Sequence, residues 1–418
     1  MNYFHYVDSE LFCEEVPVAR IAEREGTPFY LYSLKTLKRH YRVFDQAFAE
    51  VPHLICFSAK ANSNIAILKA LVNEGGGVDI VSGGELYRAR KAGADPKKIV
   101  YSGVGKRIDE IADALKAEIL MFNIESSQEL DAINAVAGKM GRKAPIALRV
   151  NPDVNPMTHP HISTGMKENK FGVDIEGSLE AYRWARTLDN IDIIGMDCHI
   201  GSQITEITPF LDALDRLKRL IAVLRSEGIR IRYLDIGGGL GITYNKEEPP
   251  HPEEYARAII KKAGGIDCTF IFEPGRVIAG NTGILVTKVL YTKKRENKNF
   301  VIVDAGMNDL IRPSLYGSYH QIQPVKRKEG ALIVADVVGP ICESGDFLVK
   351  AREMPPFERD DLIAVMSAGA YGFTMSSNYN SRPRVAEVLV HADRVDVIRE
   401  REGYADLTDK ERIPEYLL

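Results

Sequence analysis

Three features of the sequence could act together in catalysis: a lysine, a run of glycines and a carboxylate, each at the end of an apolar stretch. Lys60 closes the run "ICFSAK", where an ammonium is costly to desolvate. An apolar setting lowers a lysine's pKa and leaves free amine to attack an aldehyde or ketone; the alternative is an inward lysine paired with a carboxylate. The segment "LDIGGGLG" offers Gly237, Gly238 and Gly239, whose backbone N–H groups can approach a phosphate closely unless the run is only a tight turn. It is not a dinucleotide fingerprint, because Ile242 and Thr243 stand where the last glycine of G-x-G-x-x-G belongs, which counts against an NAD-dependent oxidoreductase. "FEPGR" supplies Glu273, Pro274, Gly275 and Arg276. Its carboxylate suits a pyridine nitrogen that must stay protonated, and its guanidinium suits a phosphate or a substrate carboxylate, although the two could simply form a local ion pair.

Other loops add candidates. His199 in "CHIGSQ" could stack on an aromatic cofactor or transfer protons, or it could be an ordinary hydrogen-bonded strand-end histidine. "GPICESGDFL" joins Cys342, Glu343 and Asp346. A thiol there suits proton donation and Glu343 suits a substrate ammonium, the alternative being an inert thiol among solvated acids. Tyr371 lies in the small-residue loop "SAGAYG", and Arg312 and Tyr316 lie in "IRPSLYG". A nucleophilic lysine, a phosphate cradle and a carboxylate for a ring nitrogen are together the three handles of pyridoxal phosphate.

The elements that must position these residues are legible as a rhythm. From about residue 53, eight short apolar runs ("HLICFSAK" to "CTFIFEPGR") alternate with amphipathic stretches such as "SQELDAINAVAGKMG". Eight strand-then-helix units in about 225 residues predict a (β/α)8 barrel, whose C-terminal strand ends carry the chemistry. Lys60, Ser82, Arg149, His199, Gly237 to Gly239 and Glu273 all fall at those ends. After about residue 277 the pattern becomes period-two and β-rich. The expected fold class is therefore α/β plus β: a TIM-type barrel over 33–277, and a second, mostly β domain formed from 1–32 and 278–418. The opening "FHYVDSELF" is expected to pair with the C-terminal part, and "TPFYLYSL" also reads as a strand.

The net charge of −4 gives no basic face for a phosphate backbone, so nucleic acid is not an expected partner. No run approaches the roughly 18 apolar residues of a membrane span, and the start lacks the regions of a signal peptide, so no membrane association and a cytoplasmic location are expected. The five cysteines (Cys13, Cys56, Cys198, Cys268, Cys342) are scattered without a C-x-x-C pair, which indicates neither disulfides nor a metal site.

In order and spacing, "FSAKAN", "VDIVSGGEL", "HPHISTGMKENKFG", "CHIGSQI", "DIGGGLGI", "EPGR", "IRPSLYG", "CESGD" and "GAYG" resemble the fold-type III, alanine-racemase-like pyridoxal-phosphate decarboxylases, in their diaminopimelate branch. The resemblance spans nearly the whole chain. It implies that Lys60 holds the cofactor aldehyde, that His199 stacks on its ring, and that Glu273 pairs with the ring nitrogen. Gly237, Gly238, Gly239, the backbone of Pro274, Gly275 and Arg276, and Ser202 would serve the phosphate. Arg276, Arg312 and Tyr316 would hold the distal part of an amino-acid substrate, Glu343 its distal amino group, and Tyr371 would touch both substrate and cofactor. Cys342 would return a proton after carbon dioxide leaves, and Asp79, Glu85 and Arg149 would line or brace the pocket. The implied assembly is a head-to-tail homodimer with active sites at its interface. The implied reaction is decarboxylation of meso-2,6-diaminopimelate at its D centre to L-lysine. The rival readings are a relative acting on ornithine, arginine or carboxynorspermidine, and a non-catalytic carrier on the same barrel.

Overall fold

Eight parallel strands close into a barrel in the computed structural model, which describes residues 2–156, 164, 170–296 and 298–418. The strands are His53–Ser58, Gly77–Ile80, Ile99–Tyr101, Met121–Ile124, Ala144–Asn151, Ile191–Asp197, Tyr233–Asp235 and Thr269–Phe272. Each pairs with the next, and the last closes on the first with Phe272 opposite Ile55. Both faces are covered, which is why the strands read as unbroken apolar runs rather than as alternations. Cys56, Val100, Met121, Ala147, Ile194 and Ile271 form one buried cluster inside this unit.

Several of the helices that follow the strands start where the sequence offers a cap. Asn64, Ser82, Ser126 and Asp174 each accept a hydrogen bond from a first-turn backbone N–H. Each such cap contributes about 1 kcal/mol and fixes where a strand-end loop turns back. Of "HPHISTGMKENKFG", residues 159–163 and 165–169 lie outside the described residues.

The chain divides into two compact units, Lys38–Ile278 with the barrel, and Met1–Leu37 together with Ala279–Leu418. The second unit is built on a sheet ordered Phe347–Met354, Ile333–Val338, Lys298–Val303, Gly283–Arg295, Phe29–Ser33, Ala386–His391, Arg394–Arg399. The opening segment folds into its own three strands, Phe4–Val7, Glu10–Cys13 and Val16–Pro17, and pairs with the C-terminal part through a bridge from Glu10 to Lys326 and through backbone hydrogen bonds from Leu11 N–H to Val325 O and from Arg327 N–H to Ser9 O, both at 2.7 Å. The N-terminal strand that enters the main sheet is Phe29–Ser33, buried at all five positions, whereas Phe4–Val7 is buried on one side only and suits a small edge sheet. Among the described residues no helix is long and apolar enough to cross a membrane.

Candidate active site

The barrel's C-terminal strand ends gather the lysine, the glycines and the carboxylate. Lys60 stands just past the first strand and donates from Nζ to Asp79 Oδ2 at 2.7 Å, while Ser58 Oγ lies 2.8 Å from the same oxygen. Asp79 is fully buried, but the Lys60 side chain keeps 34% exposure. The pairing and the functional reading of Lys60 are therefore compatible: the carboxylate holds the amine at the barrel mouth with one side open. Asp79 Oδ1 is buried without a hydrogen-bond partner in the structure. Beside it, Glu85 accepts from the Val81 N–H at 2.7 Å, and burial pushes its carboxyl up to about 7, with Asp79 adding to the rise and Lys60 opposing it.

The glycine run does need its glycines. Gly237 and Gly239 have φ of 68° and 114°, in the left-handed region. A Cβ on Gly238 would sit 2.2 Å from the Glu273 carbonyl oxygen, and one on Gly239 would sit 2.5 Å from that of Gly201. The loop is fastened to the neighbouring strand end: Ile204 N–H donates to Gly239 O at 2.9 Å, and the Gln203 amide both donates to Ile242 O and accepts from Ile242 N–H. The Gly238 N–H donates to His199 Nδ1 at 3.2 Å, which places the ring proton on Nε2. Burial, then the positive charges of Arg149 and Lys60, hold the His199 pKa well below its usual value. His199 is thus a neutral plate at working pH, suited to stacking and poorly suited to shuttling protons near neutrality.

Glu273 ends the eighth strand, and its Oε1 lies 3.1 Å from Ser102 Oγ and 3.3 Å from Asn123 Nδ2. Carboxylate oxygens of Asp197, Asp235 and Glu273 all lie within 4.8 Å of one another. Desolvation of this cluster raises Asp197 and Asp235 well above the usual carboxylate range and Glu273 to about 7. Three such groups cannot all ionise together, so the cluster holds protons at neutral pH. The opposing cation is Arg149, whose Nη1 reaches Glu125 at 2.7 Å and whose Nε lies 3.8 Å from Asp197. Arg276, also buried, directs Nη2 to Ser202 Oγ at 2.9 Å and Nη1 to Tyr244 Oη at 2.8 Å.

Sequence reading missed Ser102, Asn123, Asp197, Asp235 and Tyr244. The available signal was a polar residue inside an apolar strand run, as in "MFNIES", "GMDCHI" and "YLDIGGG".

In the β unit, Arg312 opens the short helix Arg312–Tyr316 and donates from Nη1 to His320 Nε2 at 2.9 Å, while His320 Nδ1 faces Met366 O at 2.9 Å. The buried His320 therefore aims the guanidinium, another contribution that sequence alone did not reveal. Tyr371 has φ of 56°, an uncommon strain for an aromatic residue, and Tyr316 is half-buried. Cys342 and Glu343 are exposed in a tight loop. Asp346 is not a solvated acid: it is buried and accepts from Met307 N–H at 2.7 Å and Ile341 N–H at 2.6 Å, bracing that loop. Cys13, Cys56, Cys198 and Cys268 have their thiols pushed up by burial, so they behave as packing residues.

A cavity of about 510 Å³ in the barrel unit opens at the opposite end, among the starts of strands at Pro145, Asp192 and Tyr233. It holds none of these groups. In contrast, the Lys60 end fits pyridoxal phosphate: an amine whose side chain is partly exposed, a glycine loop packed too tightly against neighbouring backbone to admit a Cβ, a buried carboxyl near neutrality and an unsatisfied oxygen on Asp79. Gly238→Ala is expected to lower cofactor affinity at least about tenfold and to cost about 1–3 kcal/mol of stability, since backbone must move to admit the methyl group. Fluorescence titration with pyridoxal phosphate and a thermal melt would check both.

Residues 34–280 match the family described as "Pyridoxal-dependent decarboxylase, pyridoxal binding domain". Over 97% of its length the chain is 52% identical to the diaminopimelate decarboxylase of Vibrio cholerae and 54% identical to that of Haemophilus influenzae, covering 98% of each. It also resembles the crystal structure of diaminopimelate decarboxylase from Helicobacter pylori complexed with L-lysine, with 44% identity and a TM-score of 0.91 over 94% of this chain and 98% of that one. With a pyridoxal-phosphate cradle at the strand ends and this likeness along nearly its full length, the chain belongs to the diaminopimelate decarboxylase family of pyridoxal-dependent decarboxylases.

Proposed function

We propose that this protein is a carboxy-lyase that converts meso-2,6-diaminopimelate to L-lysine and carbon dioxide, the last step of lysine biosynthesis. The observation that carries the reading is the set formed by Lys60, the glycine cradle and Glu273 at one barrel end. Full-length likeness to diaminopimelate decarboxylases, one of them solved with L-lysine, supports the choice of substrate.

When bound, pyridoxal phosphate supplies a sink for the electron pair that the departing carboxylate leaves behind. The protein's part is to hold, aim and move protons. Lys60 is the covalent anchor, with Asp79 within hydrogen-bond reach to take or return the amine's proton. Glu273, beside Ser102 and Asn123, would keep a proton on the pyridine nitrogen. Neutral His199 would pack against the ring. The glycine run Gly237, Gly238 and Gly239, with the Pro274–Gly275 turn and Ser202, would hold the phosphate through the Gly239 end, since the Gly237 N–H donates to Asp235 Oδ1 at 2.9 Å and the Gly238 N–H to His199 Nδ1 at 3.2 Å.

Arg276, Arg312 and Tyr316 are assigned to the distal carboxylate, because guanidinium forks match carboxylates in geometry and charge. Glu343 is assigned to the distal ammonium, Tyr371 to substrate and cofactor, and Cys342 to delivery of the final proton. Residues 33–277 thus form the cofactor-binding part, and 1–32 with 278–418 contribute the distal and proton-donating groups to the same reaction. A homodimer sharing its sites across the interface and a cytoplasmic location complete the proposal, on the resemblance alone.

The test is carbon dioxide release from meso-diaminopimelate, ornithine, arginine and carboxynorspermidine. A preference of about 10³-fold or more for diaminopimelate is expected, since a site built to bond a second, distal carboxylate rejects substrates lacking it. Preference for ornithine would overturn the assignment, and bound cofactor with no turnover on any of the four would favour a carrier.

A further inference from the structure

The exposed stretch "SSNYNSRPR" takes no part in the function assigned above, yet it grips the loop that presents Cys342 and Glu343. Asn380 Oδ1 accepts the Cys342 backbone N–H at 2.7 Å. Asn380 can do so because it adopts φ 56° and ψ 30°, with Ser381 following at φ 53°. Asparagine tolerates this left-handed conformation better than most residues. The stretch is itself anchored: Asn378 Nδ2 donates to Glu402 at 2.8 Å, Arg384 Nε donates to Glu402 at 2.7 Å, and Arg382 Nη2 donates to Asp304 O at 3.2 Å. On its far side the Cys342 loop is braced by Asp346, which accepts from Ile341 N–H. The exposed thiol and carboxylate therefore sit on a turn held from both sides.

We propose that Asn380 is a positioning residue for the decarboxylation, fixing Cys342 through its backbone. The inference rests on the role given above to Cys342 as proton donor. Loosening Cys342 slows the proton delivery that completes turnover.

The experiment uses the full-length holoenzyme and meso-diaminopimelate. Asn380→Gly keeps the left-handed backbone and deletes only the acceptor, while Asn380→Asp keeps both. Removing one hydrogen bond is expected to lower kcat about tenfold in Asn380→Gly, with KM within about twofold and a larger solvent deuterium effect, and Asn380→Asp is expected to stay within about threefold of wild type. Wild-type kcat in Asn380→Gly, or equal damage in Asn380→Gly and Asn380→Asp, would overturn the Asn380 role. Should Asn380→Gly fail to fold, Asn380→Ser replaces it. Cys342→Ala run in parallel separates the two levels: if it keeps wild-type kcat, the thiol assignment falls, whereas a slow Cys342→Ala beside a fast Asn380→Gly sinks only the tether.

Discussion

Replacing Lys60 by alanine is expected to lower turnover by about 10⁴-fold or more and to abolish borohydride-dependent retention of pyridoxal phosphate on the chain. The scale is that of removing a covalent catalytic group, about 5 kcal/mol or more of barrier. A second lysine at a strand end tests the choice. Lys106 lies beyond the third strand, and its buried Nζ donates to Gly103 O, Asn123 O and Glu129 Oε1 at 2.9, 2.7 and 2.6 Å. All three of its donors are used, and the ammonium must stay charged to use them. Lys60 is the amine with an open side, next to the carboxylate that can accept its proton. Mass spectrometry of the borohydride-treated protein reads the result directly. Cofactor still fixed to Lys60→Ala would assign the anchor to another lysine, Lys106 first.

The barrel was legible because parallel strands covered on both faces must be apolar at every position, and eight such runs ended in residues that packing alone would not choose. The carboxyl cluster was not, because it depends on register. Asp197 pairs with both Arg149 and Asp235 across neighbouring strands. That alignment requires the irregularity between Ile193 and Gly195, which shifts the strand by one residue against Ala144–Asn151. Without the shift the alternation of side chains would send Asp197 to the other face. An aspartate inside an apolar run can be noticed in a sequence, but which face it takes is set by a bulge with no clear sequence signature. Tyr244 and His320 were hidden differently: each is an ordinary residue type in a loop, and only the fold brings it to Arg276 or Arg312.

Glu273→Gln is expected to leave the cofactor bound, cut kcat by about 10²-fold, and change how the cofactor-free protein's stability depends on pH. The side chain keeps its size and its contacts with Ser102 and Asn123, so loss of charge is the main change. A hydrogen bond to a charged group contributes about 1.5–3 kcal/mol, and here that contribution would be felt mainly as electrons move onto a ring whose nitrogen must hold its proton. The pH effect follows from the raised carboxyl. In the unfolded chain a glutamate titrates near 4.3, whereas burial and then the Asp79 charge push Glu273 to about 7 in the fold. Between those values the folded protein binds more protons than the unfolded chain, so this residue's contribution to stability falls as pH rises through the window and is lowest above pH 7. Glutamine has no such dependence. The melting temperature of the Glu273→Gln apoprotein, relative to wild type, should therefore climb from pH 5 to pH 7.5 and then level off. A difference that stays flat across that range would mean that Glu273 is already ionised in the empty site, with Lys60 and Arg149 rather than a shared proton balancing the cluster.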